Sequence, residues 1–187
     1  VFDFETVRVH RITALVPATE EILEDSAAMG PWIEMEAGEK LAFKVSDAIL
    51  TGNGVGKPLG VMNAPCLVTV SKEGSQAADT LLGINVLKMK ARMPARNYAN
   101  AIWLMHSDVD LLLPGMSMPV KNVAGTENVG GTLVYMPPGG LTGAMHGTLL
   151  GRPVVICESS SAVGDLGDIV LADFSQYIAL TKGGVKS

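Results

Sequence analysis

Three stretches of this sequence place chemically useful residue types close together. The first is Thr51-Gly52-Asn53-Gly54-Val55-Gly56-Lys57-Pro58. Glycines followed by a lysine are the material of a phosphate cradle, in which backbone N–H groups surround the phosphates and the lysine adds charge. A true cradle has a further glycine five residues before Gly56 and Ser or Thr after the lysine. Here those positions hold Thr51 and Pro58, and a proline has no N–H to donate. A nucleotide-binding enzyme using this 51–58 Gly-rich loop stays as an alternative. The second stretch is His106-Ser107-Asp108. Adjacent residues cannot line up nucleophile, base and orienting carboxylate, so a hydrolase trio is excluded. Ser107 reads instead as a helix N-cap, with Asp108 and Asp110 favourably placed in the first turn. A metal held by His106, Asp108 and Asp110 lacks a second ligand cluster.

The third stretch is a pair of charge runs. Between Glu20 and Glu39 lie Glu20, Glu21, Glu24, Asp25, Glu34, Glu36 and Glu39, with no base among them. Between Lys88 and Arg96 lie Lys88, Lys90, Arg92 and Arg96, with no acid. Two solvated helix faces would explain the pattern. The sharper reading is that the two runs meet across copies of one protein and fix the register of assembly. Glu20, Glu21, Glu24, Asp25, Glu34, Glu36, Lys88, Lys90, Arg92 and Arg96 are therefore candidate intersubunit contacts. The remaining chemistry is sparse. His10 and His146 are isolated, no GxSxG, HExxH or Cys/His motif occurs, and no catalytic, cofactor or metal residue is assigned. Cys66 and Cys157 are far apart and outside any CxxC, and read as two buried, reduced thiols.

Elements must position these residues. Residues 1–16 are rich in β-branched types and read as an extended strand or hairpin arm, broken by Pro17. Thr19 before Glu20 and Glu21 predicts a short helix to Asp25. Met29, Ile33, Ala37, Leu41, Val45 and Ile49 recur every four residues and predict a helix from about Ser26 to Leu50, widened by Trp32, Met35 and Ala48. Such a helix, about 37 Å long, acts as a spine. Pro31 fits only its first turn. Further on, the pattern predicts strands at Cys66–Val70, Asn100–Met105, Thr132–Met136, Pro153–Cys157, Ile169–Ala172 and Gln176–Leu180. It predicts helices from Ser75 to Met93 and after Ser107. Gly164-Asp165 and Gly167-Asp168 read as turns. Helices and short strands do not alternate, so the fold class is α+β.

Composition narrows the class. Of 187 residues, 48% are hydrophobic and only 18% charged, against about 25% in an average protein. A net charge of −5 argues against a general nucleic-acid binder, which is usually basic. Apolar content is too high for a disordered chain. No run of about 18 apolar residues predicts a membrane span, and the acids Asp3 and Glu5 exclude a signal peptide at the start. The lack of an initiator Met suggests a start inside a longer gene product.

Motifs spread over nearly the whole chain resemble those of the major capsid proteins of tailed bacteriophages. ITALVPATEEILEDS (12–26) is similar to the family's strand entering a helix. FKVSDAILTGNGVGKPLGVMN (43–63) resembles the end of its spine helix and the glycine-rich turn after it, with Asn53 where Asp is more usual. NAIWLMHSDVDLLLPGM resembles the strand and short helix of its axial domain. LLGRPVVICES, followed by GDIVLADFSQYIAL, resembles its later strands.

The resemblance implies an α+β phage-capsid fold with a long spine helix and a mixed-sheet axial domain. Residues 1–16 would be the inner end of an extended loop, 17–58 the peripheral domain, 59–170 the axial domain and 171–187 a strand returning to the peripheral domain. It implies no cofactor and no enzyme activity. It implies a homo-oligomer of pentamers and hexamers in an icosahedral shell around double-stranded DNA, assembled in the cytoplasm of a bacterial host and residing in the virion. A scaffold or maturation protease is an implied partner, as is packaged DNA through weak non-specific contact. Relative to the family, the N-terminal arm, most of the extended loop and the C-terminal tail are missing, so the chain reads as a fragment. Bacterial encapsulin compartments share the fold and form a second alternative.

Overall fold

The computed structural model describes residues 9–17, 26–124, 126, 128–139 and 145–180. The chain divides into two compact units, residues 1–65 with 178–187, and residues 66–177. Among the described residues, no helix is long and apolar enough to cross a membrane.

The first unit is built on α1, Ser26–Thr51. Its four-residue repeat is visible in burial: Met29, Ile33, Ala37, Leu41, Val45 and Ile49 are all partly buried. Of the residues expected to widen the stripe, Ala48 is partly buried, whereas Trp32 and Met35 stay out of it. Trp32 is 52% exposed and Met35 57%, and Phe43 joins them at 48%. Pro31 lies inside the helix, past the first turn expected for it, at the loss of one backbone hydrogen bond. Residues 9–17 form no strand with any described residue, and the expected helix over Thr19–Asp25 lies outside the described residues. After α1 comes a tight loop and a 3-10 turn, Val61–Asn63.

The second unit holds the core. Its helices are α2 (Gly83–Arg92), α3 (Ala95–Tyr98) and α4 (Ser107–Asp110). Its strands are β1 (Ile102–Met105), β2 (Ser117–Lys121), β3 (Asn128–Leu133), β4 (Tyr135–Met136), β5 (Thr148–Leu149), β6 (Arg152–Ile156) and β7 (Ile169–Ala172). Five strands form one sheet in the order β4-β5-β6-β1-β7, and β2-β3 form a separate ribbon. β1 runs parallel to β6 and antiparallel to β7, so the sheet is mixed, as expected. β1 is the apolar run IWLM because it has a strand on each side and α-helical cover: Trp103 and Met105 are fully buried. They pack with Val86, Val109, Leu113, Leu149 and Val154. The Trp103 indole N–H donates to the Leu149 carbonyl at 3.0 Å, which satisfies its one polar atom inside the core.

Several expected elements differ. The helix foreseen from Ser75 begins only at Gly83. Upstream, Gln76 Nε2 donates to the Thr80 carbonyl at 2.6 Å and Glu73 N–H donates to Gln76 Oε1 at 3.1 Å. Asp79 takes a positive φ of 55°. These side-chain-to-backbone bonds offer the chain a turn in place of a helix. The start at Gly83 is set by Asn85, whose Oδ1 accepts from the Leu82 N–H at 3.1 Å.

Cys66–Val70 forms no strand, and Leu67 and Val68 are exposed. Gln176–Leu180 is not a strand either. The Asp173 carboxylate accepts from Ser175 N–H at 3.0 Å and starts a 3-10 turn, Phe174–Gln176, after which the chain is irregular. The single strand foreseen at Thr132–Met136 is two, β3 and β4, parted at Val134, whose carbonyl accepts from Leu150 N–H at 3.2 Å. Neither cysteine is fully buried: Cys66 is exposed, Cys157 is intermediate, and both are free thiols. The unit boundaries fall at 65/66 and 177/178. Asn63 binds back to the Thr51 and Gly52 carbonyls, and β7 pairs with β1 as far as Ala172.

Candidate functional site

The 51–60 loop folds onto itself. Asn53 and Leu59 form an antiparallel bridge. Gly52 N–H donates to the Ala48 carbonyl at 2.9 Å, Gly54 N–H to Pro58 at 3.3 Å and Gly60 N–H to Gly52 at 2.7 Å. Val55 N–H donates to Asn53 Oδ1 at 3.1 Å. A phosphate cradle needs those N–H groups free and converging on a ligand. Here they hold the loop shut, and the Asn63 side-chain amide clamps it by donating to the Thr51 and Gly52 carbonyls at 2.9 and 3.0 Å. The glycines serve close approach and turning. A Cβ on Gly52 would sit 2.1 Å from the Pro58 oxygen, and Gly54 and Gly56 take φ values of 76° and 70°.

At His106 the cap assignment moves by one residue. His106, not Ser107, is the N-cap of α4: its Nδ1 accepts from the Asp108 N–H at 3.3 Å, and Ser107 is the first helical residue. Imidazole thereby does the work expected of the hydroxyl. Among the described residues, no group of three or more His, Cys, Asp or Glu is arranged to hold a metal ion.

The charge runs become two different surfaces. Glu20, Glu21, Glu24 and Asp25 lie outside the described residues. In the first unit, Glu36 pairs with Lys40 at 3.1 Å, so the acidic run closes on a base one turn further along. Glu34 and Glu39 are exposed and form no ion pair among the described residues. In the second unit, Lys88 pairs with Glu73. Lys90 instead stands 4.9 Å from the centroid of the Tyr98 ring, a cation–π contact. Arg92 is exposed, and Arg96 Nε donates to Asn97 Oδ1 at 3.1 Å. Between α2 and α3 lies an open groove of about 370 Å³, lined by Leu87, Lys90, Ala91, Met93, Ala95 and Tyr98. Sequence reading found the bases but missed this apolar floor. Tyr98 carried no signal, because its role depends on Pro94 folding α3 back beside α2.

The whole chain, residues 1–187, matches the model of the phage capsid family. The chain belongs to the phage capsid family. Two solved capsids are similar to this capsid-family chain in fold, that of a native GTA particle and that of an empty GTA particle, both computed with C5 symmetry. Each shares 22% identity with it, at TM-scores of 0.58 and 0.59. Each match covers 88% of this chain and 56% of the capsid chain, so the present chain spans little more than half the length of those relatives. No curated protein matches it. A capsid-family protein is structural rather than enzymatic, and the self-bonded 51–60 loop sets aside the nucleotide-binding alternative on its own geometry.

Proposed function

We propose that this chain is a subunit of an icosahedral bacteriophage or prophage shell, built from pentamers and hexamers and enclosing double-stranded DNA. The observation that carries the reading is the match to the phage capsid family along all 187 residues. The α1 spine in the first unit and the mixed sheet in the second support it. In this reading the first unit plays the peripheral part and the second the axial part. The sequence put these boundaries near 58 and 170, and the two compact units meet at 65/66 and 177/178. Assembly takes place in the host cytoplasm, with a scaffold or maturation protease as a partner, and the product is the virion. A net charge of −5 suits a shell that touches packaged DNA weakly and without sequence preference. The acidic and basic runs act as contacts between copies.

The test is negative-stain electron microscopy of the full-length protein at high concentration. Closed shells, rings or tubes are expected. A persistent monomer would refute the reading. Shells that package a protein cargo and no DNA would favour an encapsulin-type compartment.

A further inference from the structure

The groove between α2 and α3 combines features rarely left facing water together. Its floor is apolar, from Leu87, Ala91, Met93 and Ala95. Its rim is cationic. Lys88 is neutralised by Glu73, but Lys90 and Arg92 have no carboxylate partner among the described residues. The Tyr98 ring holds the Lys90 ammonium in place rather than leaving it to sweep through solvent. Tyr98 is itself fixed, because its hydroxyl donates to the Leu150 carbonyl at 2.8 Å. The charge is therefore positioned before any partner arrives, which lowers the entropic cost of binding.

The complementary surface is on α1. At 100° per residue, Trp32, Met35, Glu39 and Phe43 project from one side of that helix. All four are exposed, and the Glu39 carboxylate sits among the three apolar side chains without an ion partner among the described residues. Apolar side chains flanking one carboxylate match an apolar groove bearing a fixed ammonium. We infer that the α2–α3 groove is the receptor for the Trp32/Met35/Glu39/Phe43 face of α1 from a second copy of the chain, with Glu39 meeting Lys90. The inference rests on the shell-subunit reading, and it turns a general attraction between charge runs into one contact with a stated register. The apolar floor favours a copy of this chain over DNA, because phosphates would match the charge but leave that floor uncovered.

Two experiments on full-length protein test it. In a Cys66→Ser/Cys157→Ser background, chains carrying only Lys90→Cys are mixed with chains carrying only Glu39→Cys, assembled, and treated with a short bismaleimide. A cross-linked heterodimer between the two chain types is expected. Separately, Lys90→Glu is expected to lower the assembled fraction at least about tenfold, the equivalent of about 1.4 kcal/mol. Adding Glu39→Lys should restore assembly, while circular dichroism and thermal midpoint stay at wild-type values throughout. Particles of the mixed cysteine variants that give no heterodimer, or Lys90→Glu chains that assemble as wild type does, overturn the contact and leave the shell reading standing. Failure of the wild-type protein to form any particle overturns both.

Discussion

Gly60 occupies a position that only glycine fits. A Cβ there would lie 2.5 Å from the Gly52 nitrogen and 2.6 Å from the Leu50 oxygen, both backbone atoms that cannot rotate away. Gly60→Ala should therefore destabilise the protein by about 3 kcal/mol in chemical denaturation. Gly74→Ala, where a Cβ meets nothing within 4 Å, should stay within about 0.5 kcal/mol of wild type. Equal effects would show that the loop is not held by this approach. Tyr135 carries a second residue-scale consequence. Burial, then the nearby Asp110 carboxylate and the hydrogen bond to it, raise its pKa above the ordinary 10.0. Burial raises Tyr98 as well, opposed by Arg152. A raised tyrosine pKa means the folded state keeps its proton longer than the unfolded chain does. The associated stability is complete below pH 10 and is lost as pH climbs through the folded-state value. Thermal midpoints should fall above pH 10, and Tyr135→Phe should make the fall shallower; an unchanged slope would remove Tyr135 from the account. At this scale the sequence was partly legible. The cap of α4 was foreseen, but an imidazole nitrogen rather than the neighbouring hydroxyl fills it, a choice made by local backbone angles.

Elements were most legible where periodicity ran long. The four-residue repeat located α1 to within a residue, because many positions report the same period and one misfit such as Pro31 cannot overrule them. Gly38 is a weak point in that helix. Nothing lies within 4 Å of where its Cβ would be, so Gly38→Ala should stabilise α1 by about 1 kcal/mol and raise the thermal midpoint by about 2–4 °C. A lower midpoint would mean that the bare backbone is needed there for packing. Short apolar runs were less legible. IVLA at 169–172 and CLVTV at 66–70 look alike as sequences, yet only the first becomes a strand. β7 has β1 to bond with, whereas no partner strand meets 66–70 among the described residues. A strand is completed by a neighbour distant in sequence, and composition does not carry that information.

At the scale of the molecule, a chain only 18% charged exposes Trp32, Met35 and Phe43 on one helix and Val120 and Leu133 on a two-stranded ribbon. The ribbon rests on the core through Met118, and neighbours that cover its exposed apolar side chains would add to its stability. Particle formation by the full-length protein is the measurement at this scale, and the cross-link between Lys90 and Glu39 positions resolves one contact within it. The sequence by itself determined the α+β class, the spine helix and the family. Each of these is written in repeated or ordered local signals: a helical period, or motifs in fixed succession. Only the tertiary structure decided that the glycine loop closes on its own N–H groups, that Lys88 is neutralised while Lys90 is held over Tyr98, and that an apolar groove lies beside them. Those outcomes depend on pairings between residues far apart in the chain, whose free energies are settled by geometry and desolvation rather than by residue type.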